Sequence, residues 1–199
     1  MRARLAALVL LGLLSLAGCD RLPGGAGAVF KAHDITGAEY GKTLELTDHT
    51  GQPRTLADFK GKLVVLFFGY TQCPDVCPTT LATMADVMKQ LGPEADRVQV
   101  IFVTLDPQQD TRTVLSGYVT AFDPRFMALS GDDAATARTA KEFKVFYAKA
   151  ANPGSTSYTI DHTANTFVLD TQGRVRLLMK HGTPAADVVS DLKALLAKG

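Results

Sequence analysis

The chain has 199 residues, with 21 lysines and arginines against 20 aspartates and glutamates, a formal charge of +1, and 46% hydrophobic and 21% charged residues. That composition is too apolar for a disordered chain and too evenly charged to present the basic face that nucleic acid requires. Three cysteines are too few to staple a disulfide scaffold, so each needs its own explanation.

Arg2 and Arg4 precede an apolar run from Leu5 to Leu16, followed by Ala17, Gly18 and Cys19. A basic start, a short apolar centre and small residues before a cleavage point describe a secretory signal peptide over residues 1–18. The run is shorter than the roughly 20 residues of a transmembrane helix. Leu16-Ala17-Gly18-Cys19 resembles a bacterial lipobox, which makes Cys19 the expected lipidation site; an uncleaved membrane anchor is the alternative. Either places the remainder outside the cytoplasm. Asp20, directly after the cysteine, favours retention on the inner membrane, facing the periplasm. Pro23, Gly24, Gly25 and Gly27 mark a flexible tether, taken to span residues 19–38 ahead of one domain over 39–199.

Within that domain, Thr43–Leu46 reads as a short strand, Asp48–Gly51 as a turn, and Leu63–Phe68 as a strand covered on both faces. Leu81, Met84, Ala85, Met88 and Leu91 recur at helical spacing from Pro78 until Gly92-Pro93 stops them, so both methionines belong to a core stripe. Val98–Thr104 is a second buried strand, Thr111–Phe122 a helix, Met127–Leu129 a short strand and Ala134–Phe143 a helix. After a polar stretch, Asn152–Ser157, the segments Thr166–Leu169 and Arg174–Met179 form a hairpin, and Pro184 starts a last helix. The alternation predicts an α/β fold, a mixed central sheet flanked by helices.

Cys73-Pro74-Asp75-Val76-Cys77-Pro78 lies where a buried strand gives way to a helix. Pro78 suits the first helical position, which makes Cys77 the expected N-cap and the partial positive charge there a stabiliser of thiolate. Three residues separate the sulfurs. Positions i and i+4 on a helix have Cβ atoms about 5–6 Å apart, whereas a disulfide wants about 3.5–4.5 Å. The spacing therefore leaves both a shared soft metal and a Cys73–Cys77 disulfide open.

Metal needs further donors. His33 near the tether and His49 in a polar turn read as solvated, and His181 lies between the last strand and last helix. His162 follows Tyr158-Thr159-Ile160-Asp161 and precedes the terminal hairpin, where α/β sheets gather their active loops. Asp161 reads either as an acceptor that orients its imidazole or as a turn residue. Two thiolates and an imidazole suit copper as Cu(I) and, with one more donor, as Cu(II). Zinc accepts the same ligands but normally takes four protein donors in structural sites.

Phe68-Gly69-Tyr70-Thr71 leading into Cys73-Pro74-Asp75-Val76-Cys77-Pro78, then Asp106-Pro107 with Asp110-Thr111, then Tyr158 with Asp161-His162, resembles the Sco/SenC family from about Leu44 onward. The resemblance implies a thioredoxin-like fold with an N-terminal β-hairpin extension. It also implies copper held by Cys73, Cys77 and His162; Asp106 and Asp161 are candidates beside the site from their positions in the sequence. Copper delivery to the CuA domain of cytochrome c oxidase subunit II is the implied task, with another periplasmic copper chaperone or a thioredoxin-like reductant as a further partner. Thiol–disulfide exchange through Cys73 and Cys77 is the competing function. Gln108 and Gln109 stand where the family commonly has a charged pair, and Asp106 and Asp110 also suit a turn and an N-cap.

Overall fold

A computed structural model describes residues 29–151, 154 and 157–198. Its strands are β1 His33–Asp34, β2 Glu45–Asp48, β3 Pro53–Thr55, β4 Leu63–Gly69, β5 Val98–Thr104, β6 Met127–Ser130, β7 Tyr147–Ala151, β8 Tyr158–His162, β9 Thr166–Leu169 and β10 Val175–Met179. The helices are α1 Val76–Leu91, α2 Arg112–Thr120, α3 Asp133–Glu142 and α4 Ala185–Leu196. Eight strands form one sheet in the order β1-β10-β9-β4-β5-β6-β2-β3. The β4–β5 and β5–β6 pairs are parallel, and the others are antiparallel.

The sheet is built around β4. All seven of its residues are buried, which is what a run of valine, leucine and phenylalanine without polar alternation demands. Phe68 packs against Phe143 and Phe167, so the same strand seals against α3's exit and β9. Leu81, Met84, Val87, Met88 and Leu91 of α1 are buried, and α1 packs on α4. Both methionines are core side chains, at 4% and 2% exposure. Gly92 ends α1 at φ 58°, a left-handed conformation that glycine adopts without strain.

The expected hairpin extension is β2–β3, which joins the sheet edge through β6. Two features differ from the sequence expectation. β1 pairs with β10 at the opposite edge, and the Asp191 carboxylate accepts the Lys31 and Ala32 N–H groups at 2.8 Å each. The chain therefore joins the fold several residues before position 39. The segment before His162 is not merely polar: β7 and β8 form a separate two-stranded sheet, with Tyr147 opposite His162. Four residues of the Asn152–Ser157 stretch, like Cys19 and the signal and lipobox residues, lie outside the described residues. No helix among the described residues is long and apolar enough to cross a membrane.

Candidate metal centre

β4 ends at Gly69, and the chain turns through Thr71 and Cys73 into α1. Helix α1 begins at Val76 with Asp75 as its N-cap, so Cys77 lies inside the first turn and Pro78 one residue deeper. This corrects the expected cap at Cys77. A proline is still tolerated there, because the first-turn N–H groups have no intrahelical acceptor. The first-turn Cys77 N–H points back to Cys73 Sγ at 3.4 Å. Cys73 is half-buried and Cys77 fully buried, and both are free thiols, so the expected disulfide is not formed in this structure. Gly69 makes room for them: a Cβ there would lie 2.7 Å from Cys77 Sγ and 2.9 Å from the Phe102 ring.

His162 arrives from the other side, on β8. Its ring packs at centroid distances of 6.1 Å on Phe67 and 6.2 Å on Tyr70. Nδ1 lies 3.0 Å from the Thr163 carbonyl oxygen, which can only accept, so Nδ1 carries the proton and Nε2 the lone pair. Nε2 lies 3.7 Å from Cys77 Sγ. The two sulfurs and the imidazole nitrogen all lie within 4.8 Å of one another, the one such group of three among the described residues.

Electrostatics favour the neutral forms of both groups, which readies the imidazole for a metal but leaves the thiol protonated. Burial lowers the His162 pKa, against smaller opposing effects of the Thr163 carbonyl and the Asp161 charge. Burial pushes the Cys77 thiol well up, reinforced by a hydrogen bond to Cys73. That runs against the expected thiolate at Cys77: loss of solvent outweighs the backbone hydrogen bond at Tyr70, which favours the charged form. A cation entering this site must displace the Cys77 proton.

Asp161 does not orient the imidazole. Side chains alternate along a strand, so with His162 turned inward Asp161 is exposed, and the backbone carbonyl of Thr163 takes the orienting role. Asp106 is buried at 2% exposure and faces the hairpin rather than the thiols: its Oδ2 accepts the Tyr158 hydroxyl at 2.7 Å, and Lys149 Nζ lies 3.3 Å from its Oδ1. Asp110 does not cap α2; Thr111 does, accepting the Val114 N–H. The Asp110 carboxylate instead accepts the Thr71 N–H at 3.1 Å, the Thr71 hydroxyl at 2.5 Å and the Thr104 hydroxyl at 2.6 Å. It fixes the start of the cysteine loop, a role that its position in the sequence does not reveal.

The other histidines stay apart from the site. His33 is exposed on β1. His49 is no free solvent group, since its Nδ1 accepts the Ala128 N–H and ties the β2–β3 turn to β6. His181 Nδ1 lies 3.2 Å from the Thr80 hydroxyl.

The SCO1/SenC family model matches residues 32–197. Sco1 of Thermus thermophilus, solved in its apo form, is 41% identical, covers 86% of this chain and 100% of its own, and superposes with a TM-score of 0.76. ScoI of Bradyrhizobium japonicum, solved with copper bound, is 37% identical over 79% of this chain and 99% of its own, with a TM-score of 0.73. These likenesses identify the fold as thioredoxin-like. The mitochondrial SCO2 homolog of Mus musculus is 32% identical over 77% of this chain. The chain spans 61% of that relative's length and 50% of the Bos taurus one.

Proposed function

The chain belongs to the SCO1/SenC family, and on that footing we propose that it is an extracytoplasmic copper metallochaperone in cytochrome c oxidase assembly, with the CuA domain of subunit II as recipient. The observation that supports this best is the convergence of Cys73 Sγ, Cys77 Sγ and His162 Nε2 within 4.8 Å, from a loop, a helix and a separate hairpin. Two sulfurs and one imidazole form a soft donor set suited to copper, and the fourth donor that structural zinc normally takes is not among them.

Copper is the cargo. Cys73 and Cys77 hold it, and His162 completes the set from the β7–β8 hairpin. Because Cys73 is partly exposed while Cys77 is buried, an incoming thiolate meets copper from the Cys73 side and can add before a resident ligand leaves. Cys19, as a lipidated N-terminus with Asp20 beside it, would hold the domain at the periplasmic face of the inner membrane. The decisive measurement is copper stoichiometry of the purified domain. Wild type retains one copper, Cys77→Ser loses it, and His162→Ala retains it more weakly. Unchanged stoichiometry in Cys77→Ser refutes the assignment.

The same thiols favour a second reading, reduction of the recipient's disulfide. A half-buried thiol beside a fully buried one is the arrangement of an attacking and a resolving sulfur. Cys73, as thiolate, attacks the partner disulfide and releases one partner thiolate. Cys77 then loses its proton, attacks Cys73 of the mixed disulfide and releases the second. The pair ends as a disulfide and the partner gains two electrons. Copper content and thiol redox potential, measured on one preparation, separate the two functions: rapid exchange without copper favours reduction.

A further inference from the structure

The buried aspartates on the turn after β5 do more than shape it. Tyr158 on β8 donates to Asp106 Oδ2 at 2.7 Å, and the Asp106 N–H donates to Thr104 Oγ at 2.9 Å. The Thr104 hydroxyl donates to Asp110 at 2.6 Å, and Asp110 holds Thr71, two residues before Cys73. One unbroken path of hydrogen bonds thus runs from the strand that ends in His162 to the loop that carries the first cysteine. Among the described residues the hairpin has no strand pairing with the main sheet, so such side-chain ties hold its register against the site.

Lys149, on the partner strand β7, secures the same point from the other side. Its ammonium lies 3.3 Å from Asp106 Oδ1, donates to the Tyr158 hydroxyl at 3.2 Å and sits 4.4 Å over the Tyr158 ring. Both hairpin strands therefore converge on one buried carboxylate, whose Oδ1 faces the Lys149 ammonium at 3.3 Å.

We infer that Tyr158 and Lys149 are positioning residues: through Asp106 they set the place of His162 Nε2 relative to Cys77 Sγ, and hence whether the imidazole joins the sulfurs on a bound metal. The role at the metal rests on the copper reading above; the positioning itself does not, and it is measured first in metal-free protein. The variants are Tyr158→Phe, which keeps the ring and removes one hydroxyl, Lys149→Gln, at a side chain that is 44% exposed, and Lys149→Arg as the conservative control.

In metal-free protein, Tyr158→Phe and Lys149→Gln should raise amide exchange of Thr159 and Asp161, which lie at the hydrogen-bonded positions opposite Ala150 and Ala148, at least tenfold, with β4 amides unchanged. They should also weaken the magnetisation transfer from the His162 ring to Phe67 and Tyr70. Lys149→Arg restores both. After loading with Cu(II), the two variants should lose the nitrogen hyperfine coupling of one imidazole while keeping the sulfur-to-copper charge-transfer band. Should wild type bind no copper while the metal-free changes appear, the positioning role stands and the copper reading falls. Unchanged ring contacts and exchange in both variants overturn the positioning role. Where Tyr158→Phe folds poorly for want of a buried donor, Lys149→Gln, which alters a half-exposed side chain, decides alone by the same two readouts.

Discussion

Asp48 holds four hydrogen bonds where solvent does not reach. At 0% exposure it accepts from the Thr50 N–H at 2.8 Å, the Thr50 hydroxyl at 2.6 Å, the Gln52 N–H at 3.0 Å and Arg54 Nε at 2.7 Å. Burial works against its ionisation, but these donors outweigh it and hold the carboxyl well below the usual carboxylate range. Asp170 repeats the device at the β9–β10 turn, with burial offset by Arg174 and Gln172. Both folded pKa values are depressed, so their stabilisation is complete above the unfolded value of about 3.9 and is lost as the pH falls through and below it. Thermal midpoints measured from pH 7 down to pH 2 should drop steeply below about pH 4. Asp48→Asn should cost about 3 kcal/mol at pH 7 and flatten that drop. Sequence shows Asp48 only as a turn former, because local spacing says nothing of the burial that β6 imposes. The metal-site residues were easier: Cys73, Cys77 and His162 stand out by type and by motif. Asp161 misled, since adjacency to His162 in sequence puts it on the opposite face of β8.

Among the elements, β4 and β5 were legible nearly to the residue, because continuous apolar runs admit few alternatives. β7 and β8 were not. Tyr147–Ala151 is mostly small residues with little strand preference, and its pairing is decided by a hairpin packed against Asp106 and Tyr70 rather than by its own pattern. The start of α1 was misplaced by two residues, because proline is acceptable anywhere in the first turn and so marks that turn rather than its first position. The close fit where β4 gives way to the cysteine loop makes Gly69→Ala informative. Its methyl would meet Cys77 Sγ at 2.7 Å with Phe102 behind it. The substitution should destabilise the fold by about 1–3 kcal/mol and reduce retained copper, measured by chemical denaturation and metal analysis on the same sample.

For the molecule as a whole, stability should grade outward from the β4–β5 pair. The two strands are buried along nearly their whole length and flanked by β9 and β6, whereas, among the described residues, the β7–β8 hairpin pairs only with itself. Native-state hydrogen exchange should therefore open β7–β8 first and β4–β5 only with global unfolding. Equal protection across both would contradict this order. The alternation of strands and helices made this architecture readable from sequence, but the edge strand β1 was not: two polar residues hold no pattern, and the tie that orders them lies just upstream, where Asp191 accepts the Lys31 and Ala32 N–H groups from 160 and 159 positions away. That same fastening brings Phe30 beneath the Lys198 ammonium, 5.5 Å from its ring centre. Helix α4 is about 18 Å long and starts just after His181, which touches Thr80 of α1. Chain entry and chain exit thus share one corner, a helix length behind the thiol face. A probe, bead or sensor chip attached at either corner residue would leave that face pointing outward and open to whatever docks there.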